Sequence, residues 1–220
     1  MSECSEAIVP TPRSLPDRDD EARARLRAVA VGAQPFVAAS DRRLPVAGLL
    51  GDLLPAGGVQ RGSTVAVDGG PGSGSTTVAL TLAAAATSAG EWAAVVDPDC
   101  TLGARAAAEA GVELERLAVV RRVPPDRWGA VVAALLDGIT VVVATVPPHV
   151  RLGDARRLVA RARERGAVLV AFGAWPVEAA VRVHTSPSRW RGLGPGTGLL
   201  ESRDLNVRVE AKGRGYARAG

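Results

Sequence analysis

Short apolar runs alternate with helix-forming stretches through the middle of the chain, and this alternation constrains the fold more than any other feature. The apolar runs are residues 63–69, 91–97, 117–123, 139–146 and 167–173. A strand that is apolar on both sides must be buried on both faces, as in a parallel sheet between helices. The chain has 220 residues, 47% of them hydrophobic, which is enough for one such domain. The sequence therefore predicts an α/β fold with a mostly parallel twisted sheet flanked by helices on both faces.

Helical patterns fill the intervals at residues 74–89, 102–110, 125–137 and 154–165, with Pro125 in the first turn of its helix. The end of the chain differs, because AAVRVHT and DLNVRVEA alternate apolar with polar residues around the Gly/Pro-rich stretch SPSRWRGLGPGTG. This pattern predicts two half-exposed strands joined by a loop. We expect them to form an antiparallel edge of the sheet.

The chain divides into four predicted regions. Residues 1–19 hold three prolines and scattered charges and are predicted to be a disordered tail. Residues 20–34 are predicted to form an N-terminal helix, and residues 35–215 the core domain, with 44–62 as an approach loop. Residues 216–220 are predicted to be a flexible C-terminus.

Charge and composition limit the cellular compartments in which the protein could act and the kinds of partner it could bind. The net charge is +4, yet residues 1–20 carry −3 and residues 182–220 carry +5. The basic end favours an acidic partner or a nucleic-acid backbone, or forms a solvated surface. Two cysteines give no metal or redox spacing, and the start has no apolar signal segment. We expect a cytoplasmic protein that does not enter a membrane.

The stretch GGPGSGSTT, residues 69–77, lies between a predicted strand and a predicted helix, where a phosphate-binding loop would lie. The usual pattern G-x-x-x-x-G-K-[ST] has a lysine where this chain has Ser75, and Lys212 is the only lysine in the sequence. Backbone N–H groups and the helix N-terminus still allow weak nucleotide or anion binding. The candidate cofactor-binding residues are Gly69, Gly70, Gly72, Gly74, Ser75, Thr76 and Thr77.

Other parts of an ATPase are missing or ambiguous. Ala144 and Thr145 end the apolar strand where an acidic residue would help to hold Mg²⁺. Asp99, in VVDPD, is a candidate general base, although the two acids of that stretch also fit a helix cap. Arg61 or Arg121 could compensate for one loss but not for both. We therefore expect no catalytic residues and no enzyme activity.

The residues carry a resemblance to the RecA ATPase core, which covers about residues 44–214. AGGVQRGSTVAVDGGPGSGSTTVALTLAAAA, followed by EWAAVVDPDCTLGARAAAEAGVELERLAVVR, is similar in motif order to that core. By this resemblance Ser75 stands at the lysine, Ala144 at the Mg²⁺-associated aspartate and Asp99 at the catalytic glutamate. The two DNA-binding loops of RecA are reduced here to PPHVRLG and AWPVEA.

A RecA-like core without these parts resembles the ImuA family, and within it the actinobacterial ImuA-prime branch. The resemblance implies a non-catalytic accessory protein of damage-induced translesion synthesis. Its implied partners are an ImuB-like scaffold polymerase and an error-prone DnaE-type polymerase, with RecA as a further candidate and DNA binding left open. The alternatives are a SulA-like cell-division inhibitor and an ATP-dependent DNA-binding protein of the RecA type.

Two regions are candidate partner surfaces. The N-terminal helix offers Arg23, Leu26, Arg27 and Val29, and it could equally pack on its own core. The C-terminal region offers Trp190, Arg191, Arg208, Lys212 and Arg214. Trp190 could stack on a base, anchor in a partner's pocket or cover the sheet edge. By the resemblance, Lys212 and Arg214 are approximate counterparts of lysines on the RecA strand that reaches into a neighbour's nucleotide site.

Overall fold

The computed structural model describes residues 43–194, 197–211 and 214–219, and it describes their side chains except at 188–190, 193–194, 197–201 and 214–219. The predicted tail and N-terminal helix lie outside these residues. So do the partner candidates Arg23, Leu26, Arg27, Val29 and Lys212. Within the described part, no helix combines the length and the apolar character needed to cross a bilayer.

Helices and strands alternate through the described part. The strands are β1 (Arg43–Pro45), β2 (Gly58–Gln60), β3 (Thr64–Asp68), β4 (Ala93–Asp97), β5 (Leu117–Arg121), β6 (Val141–Thr145), β7 (Val168–Phe172), β8 (Val181–Gly194), β9 (Thr197–Ala211) and β10 (Arg214–Ala219). The α-helices are α1 (Gly48–Leu53), α2 (Ser75–Ser88), α3 (Ala104–Glu109), α4 (Trp128–Leu136) and α5 (Leu152–Arg165). Two short 3₁₀ turns, Pro55–Gly57 and Leu114–Arg116, complete the set.

The main sheet has eight strands in the order β10-β9-β8-β3-β7-β6-β4-β5. The pairs from β8 to β5 are all parallel, and β9 and β10 are added antiparallel at one edge. The predicted α/β fold with a mostly parallel sheet and an antiparallel C-terminal edge is confirmed. β1 and β2 form a separate two-stranded antiparallel sheet.

Both faces of the parallel strands are covered by helices, because successive residues of each strand point in opposite directions. On β3, Val65 and Val67 pack into a core that includes α2, whereas Ala66 packs into a second core with α4 and α5. The strands β4, β6 and β7 divide their side chains in the same way. This explains why their sequences are apolar without alternation.

The predicted approach loop at residues 44–62 is wrong, because it contains β1, α1 and β2. The pairing of β1 with β2 brings Leu44 opposite Val59, and both side chains are buried. These elements are three to six residues long, too short for a periodic pattern to emerge from glycines and leucines. The predicted first turn at Pro125 is also wrong, since α4 begins at Trp128 after a turn in which the Arg127 N–H bonds to the Pro124 carbonyl at 2.9 Å.

The loop predicted at SPSRWRGLGPGTG is mostly strand. β8 and β9 continue pairing to Gly194 and Thr197, with register shifts between Ser186 and Arg189 and between Arg191 and Leu193. Bulges of this kind accommodate a proline and a glycine, which a regular ladder disfavours. The core also passes the predicted boundary at residue 215, because β10 pairs with β9 up to Ala219.

Candidate functional site

The turn at residues 69–74 joins β3 to α2 at the carboxyl edge of the sheet. β3 lies between β7 and β8 and is therefore central. Gly74 is the N-cap of α2 with φ 90°, and Gly72 also has a positive φ of 74°. Thr76 and Thr77 are exposed, whereas Ser73 and Ser75 are buried. The predicted phosphate-loop residues thus form the expected strand-to-helix turn.

A chain of hydroxyl groups from β8 fills the inner side of this turn. Thr185 Oγ1 donates to the Asp68 carbonyl at 3.1 Å and accepts from Ser73 Oγ at 2.7 Å. Ser73 is fully buried, and its hydroxyl lies 3.4 Å from that of Ser75. Gly69 touches the same group so closely that a methyl group on it would overlap Ser73 Oγ and Thr185 Oγ1 and lie 2.9 Å from the Thr185 carbonyl oxygen.

β9 closes the other side of the turn, at the N-terminus of α2. A methyl group on Gly74 would overlap Leu205 Cδ1 and lie 2.8 Å from Arg203 Nη2. Arg203 Nη2 also donates to Thr77 Oγ1 at 2.9 Å. A positively charged side chain, Arg203, does lie at this helix N-terminus, but it belongs to a strand distant in sequence and not to position 75. No spacing in the sequence connects Arg203 with the turn, so its position there was not predicted.

The residues at this turn lack two side chains that a nucleoside triphosphate and its magnesium ion would require, a lysine at position 75 and an acidic residue at position 144. The turn is also closely packed at two of its glycines. Ser73 and Thr185 lie against Gly69, and Leu205 and Arg203 lie against Gly74, whereas Gly70 and Gly72 face open space. Ser75 is 6% exposed, so the side chain at the lysine position points into the protein and not into a cradle.

The other positions expected in an ATPase also have structural roles. Ala144 is fully buried in the core formed by α4 and α5. Asp97 is buried, and its carboxylate accepts from Thr101 N at 3.1 Å, Thr101 Oγ1 at 3.2 Å and Leu102 N at 2.9 Å. It therefore holds the turn that leads to α3. Asp99, two residues later, is exposed.

Arg61 does not compensate for the missing lysine, because it lies at the amino-terminal ends of the parallel strands, whereas the turn lies at their carboxyl-terminal ends. It forms a bidentate pair with Glu91 at 2.8 and 2.5 Å, and Thr140 Oγ1 donates to the same carboxylate at 2.6 Å. Burial disfavours the Glu91 carboxylate, but the hydrogen bonds from Arg61 and Thr140 and the charge of Arg61 outweigh it and lower the pKa of Glu91. The pair precedes β3 and β4 at their amino ends and is structural.

Arg121 does not reach the turn either. It ends β5, which is the far edge strand of the sheet. Its guanidinium donates to the Leu102 carbonyl at 2.9 Å and lies 3.9 Å from Asp97. Both arginines that were considered as substitutes are thus engaged elsewhere.

A cluster of charged side chains joins β3, β8 and β9 next to the turn, and the sequence analysis did not identify it. His184 Nδ1 lies 2.6 Å from Asp68 Oδ1, and His184 Nε2 lies 3.5 Å from Glu210 Oε1. Arg182 Nη1 lies 3.7 Å from Asp68 Oδ2. The polar half of the alternating pattern in AAVRVHT was the available signal. The described residues contain no group of three or more potential ligands that could hold a metal ion.

The described C-terminal candidates lie on β8, β9 and β10. Arg191 pairs with Asp204 at 2.9 Å, and Arg208 lies 3.3 Å from Glu210. The backbone of Trp190 lies opposite Arg203 in the β8–β9 ladder. Arg214 begins β10 opposite Ala211.

Comparison with known families identifies the parallel part of the fold. The model of the MT3502 N-terminal domain matches residues 52–177, more than half of the chain. The chain belongs to this family. The MT3502 N-terminal domain thus extends from α1 to the loop after β7 and includes the turn at residues 69–74. The residues that close this turn from β8 and β9 lie outside the matched range. A search of curated proteins finds no match to the chain.

Proposed function

We propose that this protein is a non-catalytic accessory factor of a damage-induced translesion synthesis complex. In this role it contacts an ImuB-like scaffold polymerase and an error-prone DnaE-type polymerase through protein surfaces. The observation that carries the proposal is the closed turn between β3 and α2. Its backbone follows the course of a phosphate loop without the lysine, and side chains from β8 and β9 pack against Gly69 and Gly74.

The architecture supports a RecA-like origin for this core. A central strand leads through a glycine-rich turn into the alanine-rich helix α2, and an antiparallel pair of strands extends the sheet beside it. The motif order that resembles RecA falls on consecutive elements from β2 to β5. Such a core without a nucleotide is best suited to present surfaces to other proteins.

Three separate positions support the absence of catalysis. Ser75 is buried at the lysine position, Ala144 is buried at the aspartate position, and Asp99 at the glutamate position is exposed at the other side of β6 from β3. Losing one preorganised group of this kind typically costs about 10²–10³ in rate, and losing several is not recovered by one arginine. In this proposal the protein keeps a RecA-like fold but has lost the ATPase function.

The proposal is tested with the purified full-length protein in two assays. The first measures binding of a fluorescent ATP analogue and ATP turnover with and without single-stranded DNA. We expect neither saturable binding in the micromolar range nor turnover, and DNA-stimulated hydrolysis would favour the ATP-dependent alternative instead.

The second assay co-expresses the protein with an ImuB-like polymerase and captures one through a tag on the other. We expect a stable complex that persists after removal of nucleotide. Failure to capture the ImuB-like protein, combined with co-sedimentation with tubulin-like filaments, would instead support the role of a cell-division inhibitor.

A further inference from the structure

The five arginines of α5 lie on two different sides of the helix. At about 100° per residue, Arg157, Arg161 and Arg165 follow one another on one side at intervals of four. Arg161 makes a bidentate pair with Asp137 at 2.6 Å, and Arg165 lies 3.1 Å from the same carboxylate. Arg157 lies 3.3 Å from Asp154. On this side every arginine therefore has a carboxylate partner within the domain.

The second side of α5 is not neutralised. Leu152, Arg156, Val159 and Arg163 fall within about 60° of each other around the helix axis. Within the part of the chain that the structure describes, neither Arg156 nor Arg163 has an ion-pair partner, and both are exposed. We call these four residues the α5 stripe.

A shallow groove of about 410 Å³ runs along the start of the α5 stripe. Its walls are Leu152, Arg156 and Val159 on one side and residues 176–178, after β7, on the other. Val159 and Val177 also pack on the core below, while Leu152 is 45% exposed. The groove thus combines an apolar floor with the unpaired Arg156 on one wall and Glu178 on the other, and Arg163 continues the positive charge one turn further along the α5 stripe.

We propose that residues 1–20 of the same chain bind in this groove along the α5 stripe. This segment carries five acidic residues against two arginines, the reverse of α5. It also contains the apolar pair Ile8 and Val9, which suits the floor beside Leu152. No other segment outside the described residues combines a negative net charge with an apolar pair.

The connection is long enough for the segment to reach the groove. Residues 21–42 lead to Arg43, the first described residue. With residues 21–34 in the predicted helix and the other eight residues extended, this connection spans up to about 50 Å. A tether of this length gives an effective concentration on the order of 1 mM. A weak, salt-dependent contact would therefore still be formed for much of the time. It would cover the α5 stripe until a more acidic partner displaces it.

The native cysteine at position 4 provides a probe inside the segment. Cys100 is exposed, so a full-length Cys100→Ser variant carries a single reactive thiol at Cys4. A nitroxide spin label on Cys4 should broaden the amide resonances of Leu152, Val159 and Val177 in a ¹⁵N-labelled protein. For a contact formed at an effective concentration near 1 mM, we expect a roughly twofold or larger loss of peak intensity.

Three changes should remove this broadening. The first is the double variant Arg156→Gln with Arg163→Gln. The second removes the acidic charges of the segment by Glu3→Gln, Glu6→Gln, Asp17→Asn, Asp19→Asn and Asp20→Asn. The third raises the salt concentration to about 1 M, where the Debye length falls to about 3 Å. The segment changes lie outside the core and cannot act by unfolding α5. The matched control, Arg157→Gln with Arg105→Gln, removes the same charge from arginines that already have carboxylate partners and should leave the broadening unchanged.

Two results would overturn the proposal. One is broadening spread evenly over the surface, or broadening that the α5 variants do not reduce. The other is broadening in a mixture of two proteins, one spin-labelled at natural isotope abundance and the other ¹⁵N-labelled without a spin label. In that case the occupant of the groove would be a second copy. Neither result bears on capture of an ImuB-like partner, so the two proposals stand or fall separately.

Discussion

Replacing Gly69 by alanine should destabilise the protein far more than the same change at the neighbouring Gly70. A Cβ atom at position 69 would overlap Ser73 Oγ and Thr185 Oγ1 and lie 2.9 Å from the Thr185 carbonyl oxygen. That carbonyl belongs to β8, which is paired on both sides and cannot shift freely. At Gly70, by contrast, a Cβ atom would meet no atom within 4 Å.

The cost at Gly69 can be estimated from two contributions. Overpacking against a well-ordered neighbour costs about 1–3 kcal/mol. Separating the hydroxyls of Ser73 and Thr185 removes a hydrogen bond worth about 0.5–1.5 kcal/mol. The free energy of unfolding should therefore fall by roughly 2–4 kcal/mol, whereas Gly70→Ala should change it by less than about 1 kcal/mol, with a stabilising sign if the unfolded chain loses freedom.

The assay is urea unfolding of both variants, followed by circular dichroism and tryptophan fluorescence. A fall in the midpoint at an unchanged m value would indicate a loss of stability without a change in the folded surface. For a chain of this size, 2–4 kcal/mol also corresponds to a drop in Tm of about 4–16 °C. Equal stability of the two variants would refute the closed turn, because an open cradle would tolerate either methyl group.

Three further predictions concern single charged or polar positions. Ser75→Lys should not create micromolar ATP binding and should lower stability by about 1–3 kcal/mol, because the position is buried; saturable binding in a fluorescence titration would contradict this. Asp97→Ala should cost about 1.5–3 kcal/mol in urea unfolding, because two backbone N–H groups lose a charged acceptor, whereas Asp99→Ala should stay within about 0.5 kcal/mol. The folded state lowers the pKa of Glu91, so its pairing with Arg61 stabilises the protein above the ordinary carboxyl pKa and is lost as the pH falls through the lowered value. Glu91→Gln should therefore be less stable than the parent protein at pH 7, and the difference should shrink as the pH falls through the lowered pKa of Glu91.

The parallel part of the fold was predictable because its signal is local and repeated. β3, β4, β6 and β7 are apolar on both sides, and the helices between them have their own period. Burial on both faces removes the alternation that would mark a half-exposed strand, so the fold class is already visible in the chain. The turn at Gly69–Thr77 was predictable for the same reason, since strand, glycines and helix are adjacent in sequence.

The antiparallel pair β8–β9 was predicted, but its continuation through residues 186–198 could not be predicted from the sequence. Pro187 and Gly192 indicate a loop by their local preferences, but cross-strand pairing with two register shifts satisfies the backbone around them. Tertiary pairing overrode local propensity here. The short elements β1, α1 and β2 were missed because three to six residues are too few to establish a period.

The absence of a lysine from a glycine-rich turn between a buried strand and an alanine-rich helix is evident from the sequence alone. The sequence left open whether another cation replaces the lysine, and the two candidates, Arg61 and Arg121, have partners elsewhere. The side chains that pack against the turn are known only from the folded chain: they are Thr185 from β8, and Leu205 and Arg203 from β9, at least 108 residues further along the chain than Thr77. The physical reason is that the sheet order places β8 directly beside β3, with β9 next to it, and no local pattern of residues encodes that order.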